Sequence, residues 1–214
     1  MSPKLVIFDL DGTLIDSLAD LADATNRIRA VRALPPLPPE GVRALIGQGA
    51  RSLVNRALPG ADEPEIDRAL DEFLAYNLAH IADKTRPYPE VPETLTELAG
   101  RGIPLCVLSN KNVALCRDVM ERLGIARFVP QIYGADSFPY RKPSPEPVLA
   151  LLQKYGVASR ECVLVGDSIN DIAAGGGAGV ITVGCSYGYG NPEELAGADY
   201  VVSEFKGLLA LPIF

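Results

Sequence analysis

Histidine and tryptophan are nearly missing from this chain: one histidine and no tryptophan in 214 residues. With His80 alone, the chain has little to offer a mechanism built on a histidine base or nucleophile, or a zinc centre that needs histidine partners. His80 sits among Leu78, Ala79 and Ile81 on a helical pattern, where packing is the simpler role. The four cysteines, Cys106, Cys116, Cys162 and Cys185, form no C-x-x-C pair, and two lie inside apolar runs. They read as small buried hydrophobes in a reducing compartment. No apolar run approaches the roughly 18 residues of a membrane span. No charged leader, long apolar stretch and cleavage site precede the first strand-like run, so a cytoplasmic protein is expected. Positive charge is scarce, with 20 Lys and Arg against 27 Asp and Glu and a net charge of -7. This disfavours nucleic acid and anionic membranes as partners. An anionic substrate would have to find its positive charge locally, from a few lysines or arginines or from a metal.

What is present is a repeated alternation. Short apolar, branched runs recur at Leu5–Phe8, Ile103–Leu108, Cys162–Val165, Val180–Val183 and Tyr200–Val202. Each is apolar on both faces, as a parallel sheet covered by helices requires. Helical patterns between them end at Gly100, Gly124 and Gly156, and glycine just past a helix end is a stop signal. The pattern predicts an α/β fold, a Rossmann-like doubly wound parallel sheet whose ligand site lies beyond the carboxyl ends of the strands.

One segment breaks the alternation. From Leu18 to Ala82 only helical spacings occur: Leu18, Leu21, Ala22, Ile28 and Val31; Ile66, Ala69, Leu70, Phe73 and Ile81; and a third helix begun by Val42, Leu45 and Ile46. This predicts a small all-helical domain over 17–84, inserted into a core formed by 1–16 and 85–214. The three prolines of "DKTRPYPEVPE" suit a stiff exit linker. "LPPLPP" at 34–39 contains P-x-x-P, readable as a ligand for an SH3-type partner or, more simply, as a rigid interhelical loop.

Candidate chemistry gathers at the predicted strand ends. In "LVIFDLDGTLIDS", Asp9 closes the first strand, Asp11 follows by two, and Gly12 can turn the backbone so that its amides approach an anion. A carboxylate flush against "VIF" is costly to bury unless paired or metal-bound, though a strand-to-loop cap is the plainer alternative. The second long strand ends in Ser109 and Asn110, which could hold an oxyanion or cap a helix. Lys142 precedes Pro143, which restricts it to an extended backbone and could aim its ammonium into the site, with a solvated basic loop as the plain alternative. "VLVGDSINDIAAG" sets Asp167 at a strand end as Asp9 is, with Asp171 one helical turn on. Carboxylate oxygens from neighbouring strands suit a magnesium site, while helix capping explains one aspartate of the set but not all.

Taken together and in order, "DLDGT", "SN", the lysine of "KP" and "GDSINDIAAG" resemble the four motifs of the haloacid dehalogenase superfamily of phosphohydrolases. The helical insertion resembles its small cap domain. "IGQGARSLVNRAL" at 46–58 and Tyr187–Gly188 after "GVITVG" resemble its phosphoglycolate phosphatase branch. The resemblance implies Asp9 as nucleophile, Asp11 as general acid and base, and Mg²⁺ held by Asp9, the Asp11 backbone carbonyl and Asp167, with Asp171 behind them. It implies Ser109, the Asn110 amide and Lys142 around the phosphoryl oxygens, with Gly12 and Thr13 at the same site. Asp11 argues for phosphate chemistry over carbon–halogen chemistry, since the superfamily's dehalogenases lack an acid–base aspartate there.

The implied activity is a phosphomonoesterase for a small phosphorylated metabolite, with 2-phosphoglycolate first. A sugar-phosphate or nucleotide phosphatase, a pyrophosphatase, a phosphoglucomutase and a non-catalytic phosphate-binding protein are the alternatives. No nucleic-acid or membrane partner is expected, and a monomer or homodimer is. Gly49 and Arg51 on the insert could receive the substrate's carboxylate, or Arg51 is simply a solvated charge on the helix face. Gly175, Gly176 and Gly177 follow Asp171 where the superfamily has helix formers. At about 0.8–1 kcal/mol each against alanine, they predict a frayed or shortened helix.

Overall fold

The computed structural model describes residues 2–214. The chain opens with β1 (Leu5–Phe8), then β2 (Ile15–Asp16), and passes into four helices: α1 (Leu18–Val31), α2 (Pro39–Arg43), α3 (Ala50–Ala57) and α4 (Glu63–Ala79). It returns through β3 (Arg86–Pro87) and α5 (Val91–Gly100) to β4 (Leu105–Leu108), α6 (Val113–Arg122) and β5 (Gln131–Tyr133). The remainder runs α7 (Glu146–Tyr155), β6 (Cys162–Gly166), α8 (Ile169–Ala178), β7 (Ile181–Cys185) and β8 (Tyr200–Val202).

Six of these strands form one sheet in the order β5-β4-β1-β6-β7-β8, all parallel. β1 lies inside it, between β4 and β6, and none of its residues reaches solvent. Successive side chains of a strand point to opposite faces, so β1 feeds two cores at once. Val6 and Phe8 pack with α5, α6 and the short turn at Phe205–Ala210. Leu5 and Ile7 pack with Val148 and Leu151 of α7 and Ala174 and Ala178 of α8. Helices on both faces make this the expected α/β, doubly wound sheet. No helix among the described residues is long and apolar enough to cross a membrane.

α1, α3 and α4 enclose a third apolar cluster, with Leu21, Ile28, Val54, Ile66 and Phe73 at its centre. They hang from the sheet by the antiparallel pair β2·β3. Asp20, buried at the start of α1, accepts from the Lys84 and Thr85 amides and the Thr85 hydroxyl, which ties the outgoing chain to the returning one.

Several details depart from expectation. β5 was not foreseen: of its three residues only Ile132 is buried, and an edge strand that short carries no readable period. The helix expected from Val42 onward is broken, with α2 ending at Arg43 and α3 starting only after Gly49, whose φ is +82°. Val31 is 57% exposed rather than packed. Gly100 lies inside α5, and the left-handed turn falls on Gly102 instead. His80 keeps the expected packing role, though at the surface: it caps α4, its Nδ1 2.8 Å from Asp83 and its ring against Tyr76. The loop after α1 is pinned by Asn26 to Leu37 and by Arg29 to Pro35, consistent with the rigid-loop reading of the prolines.

The frayed helix after Asp171 is also corrected, since α8 runs unbroken through all three glycines. The physical reason is closeness. A Cβ on Gly175 would sit 2.5 Å from the Thr182 methyl on β7, so glycine lets the helix lie directly on the sheet. Gly176 faces open space. Opposite effects on stability follow for two chemically identical changes. Gly175→Ala is expected to destabilise by about 1–3 kcal/mol through overpacking. Gly176→Ala should stabilise by up to about 1 kcal/mol through helix propensity and loss of unfolded-state freedom. Urea unfolding of the two variants beside the parent chain measures both.

Candidate active site

At the carboxyl end of β1 the chain must turn sharply, and Gly12 makes the turn with φ +90°. A Cβ at Gly12 would lie inside the Asp167 carboxylate, so glycine is required there by packing as well as by backbone conformation. Its N–H donates to the Ile15 carbonyl at 2.8 Å and is therefore not offered to an anion. Thr13 is wholly buried, and its hydroxyl donates to Asp167 Oδ1 at 3.0 Å. The expectation that Gly12 and Thr13 touch substrate is thus corrected: both serve Asp167 from behind.

Asp9 and Asp11 flank this turn on the open side. Lys142 Nζ lies 2.8 Å from Asp9 Oδ1 and 2.6 Å from Asp171 Oδ1, and the lysine is 2% exposed. Asp11 is held separately. Ser17 Oγ donates to its Oδ1 at 2.5 Å, and Lys111 Nζ reaches both of its oxygens at 3.0 and 3.1 Å. Lys111 was missed in the sequence. It follows Ser109-Asn110 directly, and the available signal was a lysine placed next to a strand-end pair. Ser109 and Asn110 sit at the end of β4 as expected, both buried. The Asn110 side-chain amide donates to the Lys142 and Gly47 carbonyls at 2.8 Å each, so it ties loops together and leaves its backbone N–H for a ligand.

β6 delivers Asp167, whose Oδ2 accepts from the Tyr189 N–H at 2.6 Å. Asp171, fully buried in the first turn of α8, accepts from the Ser168 N–H and hydroxyl with its second oxygen. Tyr189 does more: its hydroxyl accepts from the Ser17 N–H and donates to Asp16, so one residue joins the Asp167 loop to the base of the insert.

Three carboxylates thus crowd one ammonium. Burial raises the Asp9 pKa to about 6 from 3.8, with Lys142 opposing and Asp171 adding to the rise. Burial, then Asp9 and Asp171, push Asp167 well above the ordinary carboxylate range. Burial alone would pull Lys142 down, but Asp171 and Asp9 outweigh it and raise its pKa, so the lysine stays charged. Asp9 Oδ1 is buried and, although close to Nζ, has no aligned hydrogen-bond donor. Oxygens of Asp9, Asp167 and Asp171 lie within 4.8 Å of one another. A set of hard oxygen donors with surplus negative charge and an unsatisfied buried oxygen fits a divalent cation of the magnesium type.

The insert closes over this edge of the sheet. The Gly47 carbonyl accepts from Asn110 and, at 3.3 Å, from Asn170, while Arg43 donates to the Tyr189 and Gly188 carbonyls. A chamber of about 60 Å³ remains between the two parts, and a wider cleft of about 620 Å³ adjoins it, sharing Asp9, Asp11, Gly47 and Asn170. Asp9, Asp11, Ser109, Lys111 and Lys142 line its floor, and Leu21, Leu53, Phe73 and Asn77 line its roof with Gly49. Arg51 does not line it. Its guanidinium is paired with Glu63 and Asp67 on the outside of the insert, and its side chain is 48% exposed. Of the two readings of Arg51, the solvated face charge is the one this placement fits: α3 turns that face toward α4, where two acids wait. The cations lining the chamber among the described residues are Lys111 and Lys142.

The raised carboxylates set a stability signature. A folded-state pKa above the unfolded value means the folded protein binds more protons between the two, so stability falls as pH rises through that window. In EDTA, as pH rises above the ordinary carboxylate range, wild type is expected to lose melting temperature relative to Asp167→Asn. A saturating divalent cation should reverse that loss in wild type only. Calorimetry across the pH series checks both.

Comparison with known proteins agrees with this geometry. The family model for haloacid dehalogenase-like hydrolases matches residues 3–179. A phosphoglycolate phosphatase of Agrobacterium fabrum is 38% identical over 216 residues, covering 97% of this chain and 91% of its own. One of Neisseria meningitidis is 40% identical over 201 residues, covering 92% and 86%. The crystal structure of a predicted phosphoglycolate phosphatase from Haemophilus somnus superposes with a TM-score of 0.94 at 33% identity, covering 98% of each chain. The chain belongs to the haloacid dehalogenase-like hydrolase family and, within it, to the phosphatases.

Proposed function

We propose that the chain is a Mg²⁺-dependent phosphomonoesterase that hydrolyses 2-phosphoglycolate through an aspartyl-phosphate, working in the cytoplasm as a monomer or homodimer. The observation that carries the chemistry is the pairing of two differently held carboxylates on one turn. Asp9 sits with the buried ammonium and the acidic cluster, whereas Asp11 sits with Lys111 and Ser17. Two like groups in unlike settings suit two roles.

In the first step an Asp9 oxygen attacks phosphorus. The bond from phosphorus to the ester oxygen breaks, and Asp11 passes its proton to the leaving alkoxide. In the second step water attacks the same phosphorus. Asp11 takes the water's proton, the bond between phosphorus and Asp9 breaks, and inorganic phosphate leaves. Lys111 gives Asp11 a counter-ion once its proton has gone. Lys142, fixed by Asp171 and by the acidic cluster, meets a phosphoryl oxygen beside the Ser109 hydroxyl and the Asn110 N–H. Mg²⁺, held by Asp9, Asp167 and the Asp11 backbone carbonyl with Asp171 behind, would supply the charge that lets an anionic nucleophile approach an anionic ester.

The substrate is argued from lining, charge and kinship. The apolar roof over Lys111 and Lys142 offers little to the hydroxyls of a hexose phosphate or a nucleotide. Two ammonium groups in one chamber favour a doubly anionic ligand, with Lys142 for the phosphoryl end and Lys111 within reach of a carboxylate. The relatives at 38–40% identity bear the name phosphoglycolate phosphatase.

Phosphate release at neutral pH, with Mg²⁺ or EDTA, tests this across 2-phosphoglycolate, hexose phosphates, nucleoside monophosphates and pyrophosphate. Mg²⁺-dependent preference for 2-phosphoglycolate is expected, with turnover abolished in Asp9→Asn. Preference for another ester would discard the substrate, and transfer of phosphate to a sugar would make the chain a mutase. Arg51→Ala is expected to keep its KM for 2-phosphoglycolate within about twofold, because an exposed ion pair outside the chamber contributes little.

A further inference from the structure

The buried residues of α4 are Ile66, Ala69, Phe73 and Asn77, one stripe along the helix. The first three are apolar and complete the core of the insert. Asn77 ends the stripe as a primary amide, is 3% exposed, and lines the chamber one turn after Phe73. Among the described residues, no side-chain hydrogen bond reaches it. The buried side-chain atoms without a partner among the described residues belong to Asp9, Asp118, Tyr133 and Tyr155, so the Asn77 amide is not sealed in the wall but opens on the chamber, where leucine would simply continue the stripe.

The place of this amide tells what it meets. The phosphoryl end of an ester is drawn to the floor, where Asp9, Ser109 and Lys142 stand. Asn77 belongs to the roof, so it faces the other end, the part that leaves as alcohol. The amide brings two N–H donors and one acceptor on a rigid 17-residue helix whose start is capped by Asp62. With Arg51 turned outward, Asn77 is the polar side chain that the buried roof offers.

We propose that Asn77 is a specificity-determining residue. It hydrogen-bonds an oxygen carried by the leaving group within a carbon or two of the ester oxygen. In the reading above, on which this inference rests, that oxygen belongs to the carboxylate of 2-phosphoglycolate. Lys111 supplies the charge and Asn77 the direction. A site built to bond a substrate oxygen rejects an analogue lacking it far more strongly than an apolar pocket rejects a missing methylene.

The test compares 2-phosphoglycolate with ethyl phosphate, which has the same length and no carboxylate, in wild type, Asn77→Leu and Asn77→Asp. The ratio of kcat/KM for the two esters is expected to fall about 10- to 100-fold in Asn77→Leu, mainly through KM for 2-phosphoglycolate. It should fall at least as far in Asn77→Asp, where an anion would meet an anion. The melting temperature of Asn77→Leu is expected to be no lower than that of wild type, because the amide has no partner to lose. A merely structural asparagine would lower the melting temperature and leave the ratio alone. A ratio within about twofold of wild type in either soluble variant overturns the inference.

Failure of the substrate assignment reads differently. If wild type prefers another ester of the panel, Asn77 is judged by that ester against its plain alkyl counterpart. If wild type hydrolyses each ester and its alkyl counterpart equally, the phosphatase stands and the Asn77 subsite does not.

Discussion

The site is organised by repulsion. Asp9, Asp167 and Asp171 occupy a space where their oxygens come within 4.8 Å, and one buried ammonium, Lys142, holds two of them. Nothing about such a cluster is self-stabilising, because desolvated like charges raise one another's energy. The surrounding architecture is what keeps it assembled. Thr13 and the Tyr189 N–H hold Asp167, Ser168 holds Asp171, and the glycine turn at 12 leaves room for a carboxylate where a side chain would otherwise be. The stability forgone here is offset in the two apolar layers of the sheet, which β1 joins by facing both.

Parallel strands make this arrangement economical. Asp9 and Asp167 directly follow β1 and β6, which are neighbours; the pairing of Phe8 with Val165 sets Asp167 one residue further along than Asp9, and Ser109 follows β4 on the other side of β1. One continuous set of backbone hydrogen bonds therefore fixes the spacing of the acidic pair and of the hydroxyl. The insert contributes no charged side chain to the chamber. It contributes closure and an apolar roof, so the chemical and the selective halves of the site are made of different materials.

Much of this was legible in the sequence, and the reasons are particular. The strands could be read because each run is apolar throughout, although β8 proves to be an edge strand with Val201 52% exposed, and the site edge could be read because its aspartates interrupt those runs. Lys142 could be read as a lysine fixed by the following proline. What could not be read depended on which way a side chain turns or on what lies across the fold. Arg51 and Asn77 both sit on helices of the insert, yet α3 presents Arg51 to Glu63 and Asp67 while α4 presents Asn77 to the chamber. Three glycines in α8 suggested weakness, because propensity is local and the nearness of Thr182 is not. β5 escaped because three residues at an edge carry no period.

The closure of the insert is anchored on an atom that no substitution removes. The Gly47 carbonyl takes hydrogen bonds from Asn110 and Asn170, one on each side of the acidic edge. A main-chain oxygen survives any change of side chain in the tip, so roof residues can vary in identity while this part of the seam stays in place; the two bonds from Arg43 are the part of the seam that the insert supplies from a side chain. The two asparagines are the side chains that the floor brings to the seam, and both stand beside motif residues. In this architecture the pocket's preferences are free to drift, whereas the act of shutting is tied to the same segments that perform the reaction.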